Sequence, residues 1–280
     1  IKYLEESFKN NIKISRNRIL IDKDFKNIKN TIEFKQILDI YKPLNKFEKE
    51  LKELRIPLII TEGKTDWRHL KKALQKLQEK GEFTDLELNF FDTDIKMGDN
   101  ELDILCKFYS FSKHEKKVIC IFDNDVPKII KKHGTYKNDL NYNTWGNNVY
   151  SFCIPIPDHR KDYKNISIEF YYTDEEIMAT EKETGRRLYF NNECYKDIFE
   201  SKNQLKKIVK LPSPNKEKEY EKKIFDEYLN IFLDENGNHL AISKANFANN
   251  IFSDKEGFNN FNFSEFSKIF SVIKNIINDI

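Results

Sequence analysis

The sequence predicts an α/β fold: a mostly parallel four-stranded sheet flanked by helices, with helical additions at both ends of the chain. Three observations predict it. Four short apolar runs alternate with stretches of helical spacing, the first run leads through a glycine turn straight into an amphipathic helix, and the third stops abruptly at an Asp-Asn-Asp triplet.

Each element follows in order. From Ile1 to about Leu54 the chain is rich in Lys, Glu and Asn, with Phe34, Ile37, Leu38, Tyr41 and Leu44 spaced as on one helical face, so residues 1–54 read as a helical annex. Pro57 breaks that pattern, and Leu58-Ile59-Ile60 reads as a buried strand running into Thr61-Glu62-Gly63. Helical spacing returns from Thr65 to about Glu79 through Trp67, Leu70, Ala73 and Leu77, and Gly81 ends it. Leu86 to Phe91 alternates as a second strand, and Asp99 to about Phe111 carries Leu102, Leu105 and Phe108 on one helical side. Val118 to Phe122 is the strongest buried strand, and Val149 to Ile156 is a fourth, closed by Pro155 and Pro157. Beyond Pro157 the pattern loosens into helices and loops, with a solvated linker at Pro212 to Lys218, and a final helix runs from Asn262 to Ile280. The domains expected are therefore 1–54, 55–180 and a mainly helical 181–280.

Composition narrows the function classes. Charged residues make up 34% of the chain and apolar ones 39%, including 23 Phe and 13 Tyr, which is enough to fill a core. The abundance of Lys, Asn and Ile reads as the mark of an AT-rich genome rather than of a function. A net charge of only +2 means that any basic groove for nucleic acid is local. Cys106, Cys120, Cys153 and Cys194 are scattered without a Cys-x-x-Cys pair, which excludes a zinc ribbon and supplies no disulfide framework. No apolar run reaches the roughly 18 residues of a membrane span and no signal-peptide pattern opens the chain, so no membrane partner and a cytoplasmic location are expected.

The chemistry lies at strand ends. In an open α/β sheet, ligands bind beyond the carboxyl ends of strands, where loops converge. Glu62 lies at the end of the first strand, Asp123 and Asp125 at the end of the third, and Asp66 in the first turn of the helix after Glu62. Carboxylates crowded there repel one another unless a cation neutralises them, and hard oxygen ligands favour Mg²⁺ or Mn²⁺ over zinc. Gly63 permits the tight turn, and Lys64 offers a point charge to a phosphate. Alone, Asp-Asn-Asp is a common turn or helix cap and Glu-Gly-Lys is commonplace; their order, both at strand ends, carries the specificity.

The stretch Leu58-Ile59-Ile60-Thr61-Glu62-Gly63-Lys64-Thr65-Asp66 resembles the glutamate motif of the TOPRIM domain, and Ile121-Phe122-Asp123-Asn124-Asp125 resembles its paired-aspartate motif. The resemblance covers roughly residues 55 to 180 and implies a four-stranded, mainly parallel sheet. Within that family the chain resembles the OLD-type endonucleases, whose second acid is matched by Asp66. Ser167-Ile168-Glu169-Phe170-Tyr171 is similar to their Ile-Glu element and Ser243-Lys244-Ala245-Asn246-Phe247-Ala248 to their Lys-x-x-Phe-Ala element. The resemblance implies a Mg²⁺-dependent nuclease in which Glu62, Asp66, Asp123, Asp125 and Glu169 hold one or two metals and Lys244 offsets charge in the transition state. The bland alternatives are an exposed helix acid for Glu169 and a solvated helix lysine for Lys244.

No Gly-x-x-x-x-Gly-Lys-Ser/Thr loop occurs, so a separate ATPase is the expected partner, in the manner of a two-component phage-defence system. Nucleic acid, DNA or RNA with tRNA included, is the expected substrate, lying along Lys128, Lys131, Lys132 and Lys137 or along Lys202, Lys206, Lys207 and Lys210. Such lysine runs are more often solvated faces. Trp67 and His69 read as packing residues, and His159 as a candidate beside the fourth strand. A topoisomerase needs a transesterifying tyrosine in a larger cleavage domain, and a primase a zinc-binding segment. A catalytically silent module that binds nucleic acid or regulates a partner is the alternative from another class.

Overall fold

The computed structural model describes residues 56–92, 97–111, 113–134, 141–163, 165–190, 223–226 and 239–279. The annex at 1–54, the linker at Pro212 to Lys218, Cys194, Lys137 and the lysines from 202 to 210 lie outside the described residues. The described residues fall into two compact units that interleave in sequence, one from those within 56–64, 85–154 and 272–279, the other from those within 65–84 and 155–271.

The first unit is an α/β sheet of five strands, mostly parallel: β1 (Leu58–Thr61), β2 (Asn89–Phe90), β3 (Val118–Phe122), β4 (Asn143–Gly146) and β5 (Val149–Cys153), in the order β2-β1-β3-β5-β4. β1 pairs in parallel with β2 and β3, and β3 with β5. Every residue of β1, β3 and β5 is buried, which is why these strands read as unbroken apolar runs rather than alternating ones. One face presents Leu58, Ile60, Val118, Cys120, Phe122, Val149 and Cys153. These pack with Leu102, Leu105, Cys106 and Tyr109 of helix α2 (Asp99–Ser110) and with Ile129 of α3 (Pro127–His133). The other face, with Ile59, Ile119, Ile121 and Phe152, is equally buried.

The fifth strand is one more than expected. β4 joins β5 antiparallel through a tight turn at Asn147 and Asn148, both at positive φ (52° and 63°). Asparagine tolerates that region better than most residues, and here the turn is anchored to distant backbone, Asn147 Nδ2 donating to Ser110 O (2.7 Å) and Asn148 Nδ2 to His114 O (2.8 Å). Gly146-Asn147-Asn148 was thus a hairpin signal, masked by a short strand whose burial merely alternates. The second strand shrinks to two residues, and the fourth ends at Cys153 rather than Ile156.

The second unit holds α1 (Asp66–Glu79), a 3₁₀ turn at Asp158–Arg160, a second at Ile168–Tyr171, α4 (Asp174–Ile177) and α5 (Lys244–Phe252). Its core is aromatic. Tyr172 meets the rings of Phe247, Phe261, Phe263 and Phe266 at centroid distances of 5.3–5.9 Å, beside Leu70, Ala73 and Leu77 of α1. The expected final helix resolves into a 3₁₀ turn, Ser264–Phe266, and α6 (Ser267–Asn278). In the first unit, Lys117 donates to Ile276 O (2.6 Å) and Lys274 pairs with Asp85 (2.8 Å), which tie down the last turn of α6. No described helix is long and apolar enough to cross a membrane.

Asn148→Val removes the bond to His114 and places a β-branched residue at positive φ. It is expected to lower unfolding stability by about 1–3 kcal/mol, read as a shift of the urea midpoint.

Candidate functional site

The first candidate centre is built by strand register. Thr61 of β1 sits opposite Ile121 of β3, and the ladder continues past the strand end with Glu62 N donating to Ile121 O (3.2 Å). Glu62 therefore emerges beside the last residue of β3, and its Oε2 accepts from the backbone N–H of Asp123 at 3.2 Å. Thr61 Oγ1 donates to Gly63 O (3.1 Å), which closes the turn. On the β3 side, Ile154 N donates to Phe122 O (2.9 Å) and Asn124 Nδ2 to Ile154 O (3.2 Å), so the Asp123-Asn124-Asp125 loop is pinned to the end of β5. Pro127 then opens α3, suited to the first helical position because it lacks an N–H.

Electrostatics reports the same clustering. Burial pushes the Cys153 thiol up, and the charges of Glu62, Asp123 and Asp125 push it further, to about 12. The structure thus brings together three of the acids singled out in sequence, all half-buried and all just past the carboxyl ends of the paired strands β1 and β3. Among the described residues, however, no three His, Cys, Asp or Glu side chains already stand in a metal-holding arrangement. Like charges favour separate partners, and the Glu62 carboxylate takes the Asp123 amide instead. As a donor set, three carboxylates without nitrogen or sulfur fit a hard divalent cation such as Mg²⁺ or Mn²⁺. Asp66 lies in the second unit as the first residue of α1, buried, where a carboxylate complements the helix dipole.

The second centre lies wholly in the second unit. Glu169, on the Ile168–Tyr171 turn, is 3% exposed. Its Oε2 accepts from Ser167 Oγ (2.5 Å) and from Lys244 Nζ (2.9 Å), and Lys244 also donates to Ser167 Oγ (3.1 Å). Burial opposes the charge on Glu169, but the Lys244 ammonium and these hydrogen bonds outweigh it and hold the carboxyl below its ordinary value. Neither bland alternative describes these residues: Glu169 is not an exposed helix acid, and Lys244, at the start of α5, is engaged by the turn rather than merely solvated. Ser243 caps that helix through Asn246 N (3.0 Å), and Asp226 Oδ1 accepts from Lys244 N (2.6 Å).

Two buried polar residues add to this picture, and of these Arg160 was not singled out in the sequence. Arg160 is a buried cation whose guanidinium donates to Phe170 O (3.3 Å) and Tyr172 O (2.8 Å) and pairs with Asp174 (2.6 Å), which clamps the turn bearing Glu169. His69, read as a packing residue, does pack against Phe247, yet its Nδ1 is also 3.0 Å from the Tyr172 hydroxyl. Burial lowers its pKa from 6.5 to about 4. His159 is exposed, with Nε2 3.3 Å from Tyr172 O. Lys128 and Lys131 are exposed on α3, whereas Lys132 is paired with Asp103.

Lys244→Met leaves the Glu169 charge buried and is expected to lower stability by about 3 kcal/mol; adding Glu169→Gln restores most of it, as a double-mutant cycle by denaturant titration would read. His69 takes up a proton near pH 6.5 when unfolded but only near 4 when folded. Its contribution is therefore complete above about pH 6.5 and is lost as pH falls toward 4, by up to about 3 kcal/mol. His69→Gln should flatten the fall in melting temperature across that window.

The chain matches no protein-family model, and no curated protein or solved structure is significantly similar to it.

Proposed function

We propose that this chain is a TOPRIM-type nuclease of the OLD kind that hydrolyses phosphodiester bonds of DNA or RNA with Mg²⁺ or Mn²⁺. The observation that carries the reading is the convergence of Glu62 with Asp123 and Asp125 at the ends of adjacent parallel strands, with Glu62 Oε2 3.2 Å from Asp123 N. It is supported by motif order, by all-oxygen donor chemistry and by the position of the acids at the carboxyl edge of the sheet.

Glu62, Asp123 and Asp125 would hold the cation, with Asp66 and Glu169 as the further acids implied by the resemblance. When bound, a divalent cation of this class polarises a scissile phosphate and lowers the pKa of water. The chain's own residues do the rest. The Asp123 amide orients the Glu62 carboxylate, Asn124 fixes the loop to β5, and the half-buried setting of the acids limits access of bulk water. Lys244, held beside Ser167 and Glu169, keeps a positive charge in place to offset charge on a phosphate oxygen. The exposed Lys128 and Lys131 offer contacts to a phosphate backbone. ATP hydrolysis, where the system needs it, is assigned to a separate ATPase, since the chain carries no Gly-x-x-x-x-Gly-Lys-Ser/Thr loop.

Duplex DNA, single-stranded DNA and total tRNA, incubated with the protein in Mg²⁺, Mn²⁺ or EDTA with and without its genomic neighbours, should show metal-dependent cleavage of one of these. Glu62→Gln and Asp123→Asn should each reduce cleavage to the EDTA background. Absence of metal-dependent cleavage of every substrate, with the neighbours present, would instead assign the chain to a silent binding or regulatory module.

A further inference from the structure

One buried polar network in the first unit has no part in the scheme above. Asp103 Oδ1 of α2 lies 2.8 Å from His133 Nε2, His133 Nδ1 lies 2.8 Å from Ser151 Oγ of β5, and Trp145 Nε1 of β4 donates to Ser151 Oγ at 2.7 Å. An Asp–His–Ser series at such distances has the connectivity of a hydrolase triad. Burial excludes that role: His133 and Ser151 are both 0% exposed, and the indole occupies the hydroxyl oxygen. Because the Asp103 carboxylate only accepts, Nε2 carries a proton, and the Ser151 hydroxyl, whose oxygen accepts from Trp145, links the indole to Nδ1. Hydrogen bonds therefore run without a break from β4 through β5 and α3 to α2.

The network is attached to the acid loop at both ends. The His133 ring stacks on Phe122, the residue before Asp123, at a centroid distance of 4.0 Å and an interplanar angle of 23°. His133 is also the last residue of α3, the helix that begins two residues after Asp125. Asn143 Nδ2 holds the His133 carbonyl (3.0 Å). At the next residue, Gly134, a Cβ would stand 3.0 Å from Ile130 O and 3.2 Å from Cys153 Sγ, so α3 is seated tightly on the strand whose thiol senses the three acids. A single ring thus braces the strand that enters the loop and the helix that leaves it.

We infer that His133 is a positioning residue for the Asp123–Asp125 loop, held by Asp103, Ser151 and Trp145, so that cation occupancy of the loop is coupled to the Trp145–Ser151–His133 hydrogen bonds. The inference rests on the reading that this loop takes a divalent cation. Residues that orient carboxylate and imidazole ligands from behind typically alter metal affinity by about 10–100-fold when removed. A packing role alone would change stability and leave affinity unmoved.

The chain has two tryptophans, so its amide spectrum has two indole N–H resonances, and Trp145→Phe identifies the one bonded to Ser151. Titration of the full chain with Mg²⁺, followed by calorimetry and by this resonance, should give one Kd from both, with no movement of the resonance in Asp123→Asn. His133→Phe should weaken Mg²⁺ binding about tenfold. His133→Gln, whose amide reaches toward Asp103, should recover most of the loss. If His133→Phe fails to fold by circular dichroism, Ser151→Ala takes its place, with a smaller loss in the same direction. A stationary Trp145 resonance while calorimetry records Mg²⁺ binding, or wild-type affinity in the variant, overturns the positioning role alone. No Mg²⁺ binding by the wild type overturns the metal reading and this inference together.

Discussion

The in-register parallel pairing of β1 with β3 is the constraint on which the first unit depends. Strands buried on both faces are fixed in register by packing, because a shift of one residue would exchange the side chains of two differently shaped buried faces and lose the fit to the helices on them. With Thr61 fixed opposite Ile121, Glu62 has one place to emerge, and it emerges beside Asp123. The acids do not find each other through mutual attraction, since like charges repel. The apolar core of Ile59, Ile60, Ile119 and Ile121 holds them together against that repulsion.

Carboxylates meet burial in two different ways in this molecule. Glu169 is taken out of water and compensated by a lysine ammonium and a serine hydroxyl, a closed arrangement whose partners are all side chains of the protein. Glu62, Asp123 and Asp125 stay half-buried, and their charges raise the pKa of the neighbouring Cys153 thiol. Asp103 belongs with the first kind. Burial works against its charge, but bonds from His133, Lys132 and Lys107 hold its carboxyl far below the usual range. Within the first unit, the closed Asp103 cluster and the open acid cluster are both carried by the sheet and the helices packed on it.

The second unit reaches order by another route. Its strand content among the described residues is limited to isolated bridges, and rings do the packing: Tyr172, Phe247, Phe258, Phe261 and Phe266 meet edge to face or tilted. Aromatic contacts spread over 3₁₀ turns and short helices leave little periodicity for sequence to display. That is why the region beyond Pro157 read as loosened helix and loop, although its described residues are densely packed.

By itself the sequence determined the α/β class, the positions of β1, β3, β5, α1 and α2, and the identity of the acids at the strand ends. Each depends on local information: apolar runs of strand length, helical spacing, a glycine turn, a charge where an apolar run stops. The resemblance also pointed to Glu169 and Lys244, whose contact joins positions 75 residues apart. Only the tertiary structure decided strand order, the hairpin that adds β4, the burial of Glu169, the clamp at Arg160, and the meeting of Asp103, His133 and Ser151 from three separate elements. Pairings of that kind are set by how layers pack, and no spacing along the chain encodes them.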